Sequence, residues 1–116
     1  MKDQQQRGTW SARRDEELTG AERLVLATLD HRVIRIRYQD RERTVEPHMV
    51  GIHEAGEPML VAYQTGGTSR SGDIPGWRTF ITTSVDEVEI TDRHFPGPRP
   101  DFDLEAHPMV EIFARA

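Results

Sequence analysis

The residues best suited to chemistry gather around one glycine-rich segment. Residues 66–76 read GGTSRSGDIPG and hold four glycines, the hydroxyls of Ser69 and Ser71 and the guanidinium of Arg70. Closely spaced glycines let backbone N–H groups converge on an anion, and hydroxyls and a cation add to such a site. No Gly-Lys-Ser/Thr triplet follows, so this is not a Walker loop. Its composition predicts an anion-binding loop or an ordinary surface loop, and both remain open.

Aromatic and cationic residues outside this loop could complete a site for an anionic ligand. Trp77 and Arg78 follow the loop directly and, as neighbours on a predicted strand, point to opposite faces. Tyr38 and Tyr63 offer rings and hydroxyls to a ligand or, equally, to the core. Arg43 carries the planar fork that suits phosphate or carboxylate. We expect Trp77 to flank the mouth of a pocket and an acidic partner or a ligand to hold Arg78.

Glu46 and His48 lie on either side of Pro47 in a predicted strand. Because they are two residues apart, they are expected to share a face, where they could hold a ligand or simply pair with Arg43. No metal site or cofactor is expected, since the five histidines are scattered and there are no cysteines. No catalytic constellation emerges either, because Ser69 and Ser71 lack a nucleophile-elbow context. The residues therefore predict a binding protein and not an enzyme.

Composition narrows the class of protein. A length of 116 residues suits one domain, and the lack of cysteine excludes disulfide frameworks and thiol catalysis and fits a cytoplasmic setting. A formal net charge of -5 argues against a domain that mainly coats a phosphate backbone. No stretch approaches the ~18 apolar residues of a membrane span, so no membrane partner is expected.

The elements that must position these residues are one helix and a series of strands. Thr19 and Glu22 have the spacing of a capping box, which predicts a helix over about residues 20–31. Alternating apolar residues then predict strands, with Pro47 requiring an edge, a bulge or a bend. The helix is expected to pack through Leu24, Val25 and Leu29. The predicted strands are Val33–Tyr38, Arg43–His53, Met59–Gln64, Trp77–Thr82 and Val85–Thr91.

The predicted domain covers residues 19–95, after a flexible arm at 1–18. Residues 96–116 form a proline-rich connector and a terminal element. Pro108 favours a short C-terminal helix, and an extra strand is the alternative. One helix and five antiparallel strands with short turns predict a mainly β, small five-stranded SH3/Sm-like barrel.

Five short segments carry a further signal through their order and spacing: LDHR at 29–32, IRY at 36–38, RTVEPH at 43–48, LVAY at 60–63 and WRTF at 77–80. Together they resemble the WYL domain, a bacterial ligand-sensing module usually found in transcriptional regulators. The resemblance spans about residues 20–95. It departs from the family at Pro58-Met59-Leu60, where only the leucine of the naming tripeptide is kept, and at Ile81 and Ser84, which stand where the family usually has arginines.

The resemblance implies an SH3/Sm-like barrel whose polar residues bind nucleotides, oligonucleotides or other anionic effectors. We therefore expect a regulatory module for an anionic small ligand or nucleotide, acting through self-association or a regulatory protein partner. The alternatives are a barrel that binds single-stranded nucleic acid through the face of Arg35 and Arg37, and a protein-interaction module without a ligand. The expected ligand-binding residues are Tyr38, Arg43, Glu46, His48, Tyr63, Ser69, Arg70, Ser71, Trp77 and Arg78.

Overall fold

The computed structural model describes residues 18–68 and 74–116. The predicted flexible arm at 1–18 lies almost entirely outside the described residues, as do Ser69, Arg70 and Ser71. The described part contains one α-helix, α1 (Gly20–Leu29), and six strands. The strands are β1 (Arg32–Tyr38), β2 (Arg41–His53), β3 (Pro58–Gly67), β4 (Gly76–Ile81), β5 (Val85–His94) and β6 (Met109–Arg115).

Helix α1 begins where the capping box predicts. The Thr19 hydroxyl accepts from the Glu22 backbone N–H at 3.1 Å, and the Glu22 carboxylate accepts from the Thr19 N–H at 2.9 Å. Leu24 is buried, as expected, but Leu29 is 58% exposed. The expectation for Leu29 is wrong because Leu24, Ala27 and Thr28 form the buried face of the helix.

The strands form one antiparallel sheet with the order β4-β3-β2-β1-β5, to which β6 adds by pairing with β2. The mainly β, antiparallel class with one helix is confirmed, but the strand count is six and not five. Strand β2 pairs with β3 along one edge. On its other edge its first part pairs with β1 and its second part, Met49–His53, pairs with β6.

The predicted C-terminal helix is wrong, and the alternative of an extra strand describes this segment. The Met49–His53 part of β2 extends past β1, so its backbone N–H and C=O groups on that edge need other partners. Met109–Arg115 pairs with them as β6. Val110, Ile112 and Phe113 are branched or aromatic, which suits a strand. A helix here would have left that edge of β2 unpaired.

Pro47 lies inside a central strand, and the bulge that was one of its three expected settings is present there. The pairing of β2 with β3 shifts register between Pro47 and Met49, so a bulge absorbs the residue that cannot donate a hydrogen bond. The bulge falls at His48, which is fully buried.

Strand alternation divides the sheet into a core face and an outer face. The core face packs against α1 and includes Ile34, Ile36, Val45, Leu60, Ala62 and Phe80. The outer face carries further buried apolar side chains, among them Met49, Val61 and Phe95. Residues 95–107, which connect β5 to β6, contribute Phe95 and Phe102 to this side. The sheet is therefore buried on both faces where β2 and β3 run together.

Candidate functional site

The structure separates the described candidate residues into two groups on opposite faces of the sheet. The core-face group is Tyr38, Arg43 and Arg78, at the end of the core near Phe80 and Gln64. The outer-face group is Glu46, His48, Tyr63 and Trp77. Residues 77 and 78 fall into different groups, as alternation along a strand requires.

Arg43 is the most unusual member of the core-face group because it is only 3% exposed. Its guanidinium lies 5.4 Å from the centroid of the Tyr38 ring and 5.5 Å from that of Phe80. Its Nη atoms donate only to neutral oxygens, at 3.3–3.5 Å, on Gln64, Gln39 and the Tyr38 backbone. These distances are at the long limit for a hydrogen bond.

No carboxylate of the described residues balances the charge of Arg43. Among residues 18–68 and 74–116, no ion pair of 4.0 Å or less includes it, and its Nε is buried without a hydrogen-bond acceptor. Burial lowers the pKa of Arg43, and the neighbouring charges of Arg78 and Arg41 lower it further. The guanidinium still remains protonated, as arginine does in proteins. A buried cation beside a second cation is an arrangement that attracts an anion.

The outer-face group is built on one row of paired residues. Glu46 on β2 lies opposite Tyr63 on β3, which in turn lies opposite Trp77 on β4. The Tyr63 and Trp77 rings meet edge to face, with centroids 5.2 Å apart. We call the part of the outer face lined by this row and by His48 the outer groove.

Arg99, which sequence reasoning missed, occupies the outer groove. Its Nε donates to Glu46 Oε1 at 2.8 Å and its Nη2 to Oε2 at 3.2 Å, which makes a bidentate ion pair. Its Cζ lies 3.8 Å from the centroid of the Tyr63 ring. The ion pair and hydrogen bonds with Glu46 raise the pKa of Arg99. The one signal in the sequence was the placement of this arginine between Pro98 and Pro100.

Glu46 was expected to hold a ligand or pair with Arg43, and the pairing with Arg43 is wrong. Residues three apart on a strand face opposite ways, so Arg43 lies on the core face while Glu46 faces outward. Glu46 and His48 do converge on a common partner, as their spacing suggested, but the partner is Arg99.

His48 is held from both ring nitrogens. Its Nε2 lies 3.1 Å from the Arg99 backbone nitrogen, whose N–H donates to it, so Nδ1 carries the proton and donates to the Glu46 carbonyl at 2.9 Å. The His48 ring stacks on Phe95 and also contacts Trp77 and Phe102. Burial lowers the pKa of His48. The ring is therefore held neutral.

Trp77 lies at the rim of the outer groove and is fastened by the same connecting segment. Its Nε1 donates to Asp101 Oδ2 at 3.0 Å, and its ring lies 5.5 Å from that of Phe102, centroid to centroid. The Phe102 ring in turn stacks on His107, whose pKa burial lowers. Residues 99–107 therefore cover the outer groove. The expectation that Trp77 flanks the mouth of a ligand pocket stays a prediction.

Arg35 and Arg37, the proposed nucleic-acid face, lie directly opposite acidic residues. In the pairing of β1 with β5 their partners are Glu89 and Glu87. The Nε–Oε1 distances are 3.9 Å for Arg35 with Glu89 and 3.4 Å for Arg37 with Glu87. This face is balanced in charge.

Two further findings concern other classes of site. Among residues 18–68 and 74–116, no group of three histidine, aspartate or glutamate side chains is placed to hold a metal ion. No helix in the described part of the chain is long and apolar enough to cross a bilayer.

We also compared the chain with known protein families, curated proteins and solved structures. No protein-family model, curated protein or solved structure matches the chain.

Proposed function

We propose that this protein is a non-enzymatic, WYL-like sensing module that binds a nucleotide-like or other anionic small ligand at the core-face group. The single observation that carries the proposal is Arg43, a buried guanidinium with no carboxylate among the described residues to balance it. Tyr38 and Arg78 complete the group. Binding would be relayed through self-association or a regulatory protein partner.

The physical argument rests on the cost of burying a charge. A buried ion without a counter-ion is expensive, because hydrogen bonds to neutral groups replace only part of its hydration. Arg78 also repels Arg43, and this repulsion adds to the effect of burial in lowering the pKa of Arg43. A ligand phosphate or carboxylate would offset both penalties. A perturbed, buried charge such as that of Arg43 is typical of functional sites.

The architecture is compatible with the proposed family. A capped helix precedes the strands, and the order β4-β3-β2-β1-β5 puts β4 and β5 at the two ends of the path. Bringing those two ends together is what an SH3/Sm-like barrel requires. Tyr38, Arg43 and Arg78 come from segments that carry the resemblance.

The test is thermal unfolding with a panel of nucleoside mono-, di- and triphosphates and cyclic dinucleotides. A ligand at 100 times its Kd adds about 2.7 kcal/mol and raises Tm by on the order of 10 °C. Arg43→Met and Arg78→Met are expected to abolish this rise. Arg43→Met should still fold, since it removes an uncompensated buried charge.

The matched control is Arg35→Met, which changes an exposed arginine whose partner is Glu89. It is expected to keep the full response to ligand. If no compound raises Tm, or if the Arg43 and Arg78 variants respond as wild type does, the proposal fails.

The same measurements separate this function from binding of single-stranded nucleic acid. That function requires affinity to fall steeply with salt and to depend on Arg35 and Arg37. The glutamates opposite both arginines make their face a poor phosphate track. A steep salt dependence together with loss of binding in Arg35→Met would identify nucleic acid in place of a small ligand.

A further inference from the structure

The segment that covers the outer groove has a restricted backbone. Residues 95–100 read FPGPRP, and each of their three prolines fixes φ. The chain bends at Gly97, whose φ is +146°, and turns over residues 99–102, where the Phe102 N–H donates to the Arg99 carbonyl at 3.0 Å. Such a segment loses little conformational entropy when it docks. It is therefore well suited to be a ligand for a groove, even though here it belongs to the same chain.

The segment is attached mainly through side chains. The Arg99 guanidinium lies over the Tyr63 ring and pairs with both oxygens of Glu46, and the Arg99 backbone N–H donates to His48 Nε2. Phe102 packs against both the His48 and the Trp77 rings, with centroid distances of 5.2 and 5.5 Å. The Arg99 contacts form an arginine site, while Phe102 provides an apolar anchor three residues later.

A restricted backbone and an aromatic lining both favour the docking of a short segment. Prolines that fix φ before binding reduce the conformational entropy lost on docking, and proline-rich segments commonly bind against aromatic side chains. Arginine adds specificity when a carboxylate accepts its planar fork in a bidentate pair. The outer groove supplies Tyr63, Trp77 and His48 as its aromatic lining, and Glu46 as the carboxylate.

We propose that the outer groove recognises an arginine set between prolines, and that residues 96–102 are its built-in occupant, which a partner protein carrying a Pro-Arg-Pro segment displaces. This surface lies on the opposite face of the sheet from Arg43 and does not depend on the anion site. It gives the module a place to bind a protein partner.

Residues 96–102 compete with any partner segment for the outer groove, and this competition limits how tightly a partner binds. A segment tethered beside its own groove competes at an effective concentration on the order of millimolar. Free peptide therefore binds the wild-type chain weakly. Removing the anchors Arg99 and Phe102 should expose the groove.

The experiment uses fluorescence anisotropy with a labelled peptide, FPGPRPDFD, which copies residues 95–103. The full-length variant Arg99→Ala/Phe102→Ala is expected to bind it at least tenfold more tightly than wild type does. A control peptide with lysine in place of the arginine should bind at least tenfold more weakly. Adding Glu46→Gln to the double variant should remove the preference for arginine.

A second measurement covers the case in which the double variant does not fold, as judged by circular dichroism. In Arg99→Ala alone, millimolar N-ethylguanidinium should raise Tm relative to the same concentration of N-ethylammonium. Wild type, whose arginine site is filled, should show no such difference.

Three results would overturn the proposal. One is a folded double variant that binds the peptide no better than wild type or accepts the lysine peptide equally. Another is Arg99→Ala that does not distinguish the two N-ethyl cations. The third is a wild-type dimer lost in Arg99→Ala, which would make a second copy of this chain the occupant in place of a foreign segment.

Discussion

Two arginines show how a single residue's surroundings decide its role. Arg99 is partly exposed and bound to a carboxylate, so it contributes to the stability of the folded chain. Arg43 is buried and, within the described part of the chain, hydrogen-bonded to neutral groups only, so its charge is a cost to folding. The same side chain type thus stabilises the packing on the outer face and adds an unbalanced charge on the core face.

Replacing Glu46 tests the contribution of the Arg99 pair. Glu46→Gln keeps the shape but removes the charge that accepts the bidentate fork, and hydrogen bonds to charged groups contribute about 1.5–3 kcal/mol. Since the Arg99 side chain is 37% exposed, we expect a loss of about 1–2 kcal/mol in the free energy of unfolding. Urea unfolding with an unchanged m value would measure it.

Glu87→Gln is the matched control. Its side chain is 70% exposed and pairs with Arg37 at 3.4 Å, so its loss should cost less than about 0.5 kcal/mol. Equal losses in the two variants would show that the Glu46 pair has no special value.

At the scale of elements, the segment between β5 and β6 has little regular structure but makes much of the packing on the outer face of the sheet. It contributes aromatic rings to the outer face and is held by the bulge in β2 that places His48 beneath it. The bulge arises because Pro47 cannot donate to the ladder. Pro47 thus favours the bulge at His48, and His48 in turn contacts a segment about fifty residues later in the chain.

The free energy of unfolding should depend on pH, because two histidines, one buried and one half-buried, help to hold the segment between β5 and β6 on the sheet. Burial lowers the folded-state pKa of His48 and of His107 below the unfolded value of about 6.5. At pH values between the folded and unfolded pKa, the unfolded chain binds more protons than the folded chain. The contribution of the neutral histidines to the free energy of unfolding is therefore complete above pH 6.5 and is lost as the pH falls toward the folded pKa values. The slope is at most about 1.4 kcal/mol per pH unit for each histidine.

Urea unfolding between pH 7.5 and 5 is the measurement. We expect stability to fall over this interval, because protonated His48 has no acceptor for the Arg99 N–H. His48→Gln should reduce the slope without abolishing it, since His107 remains. A variant slope equal to that of wild type would contradict the role assigned to His48.

At the scale of the whole molecule, β2 organises the fold. Its 13 residues pair with β1, β3 and β6, so it links the early strands to the last one. Close approach of β6 requires a residue without a side chain at Gly51. A Cβ there would meet the carbonyl oxygen of Glu111 on β6.

Gly51→Ala is expected to displace β6 and to lower the free energy of unfolding by about 2–4 kcal/mol, because backbone cannot move aside as a flexible side chain can. Gly66→Ala is the control, since its Cβ would lie 3.5 Å from the Thr44 Cβ, an ordinary contact. We expect the control to change stability by less than about 1 kcal/mol. Urea unfolding and hydrogen exchange of the β6 amides would measure both effects, and equal protection of β6 in the two variants would contradict this account.

The features that the sequence alone determined are the local ones. The capping box placed the start of α1, and alternation separated Trp77 from Arg78. Spacing likewise predicted that Glu46 and His48 would act on one side of the sheet. These results follow from geometry within a few residues, because helix caps and strand alternation depend on neighbours along the chain.

The tertiary structure decided which distant groups meet. Arg99 reaches Glu46 across 53 residues of sequence, and no periodicity signals that pairing. The last strand was equally out of reach, since Met109–Arg115 becomes β6 only because β1 leaves part of the β2 edge unpaired. Leu29 looked like a core residue by its spacing, yet the way α1 lies on the sheet exposes it. Long-range contacts depend on the relative placement of whole elements, which local pattern does not encode.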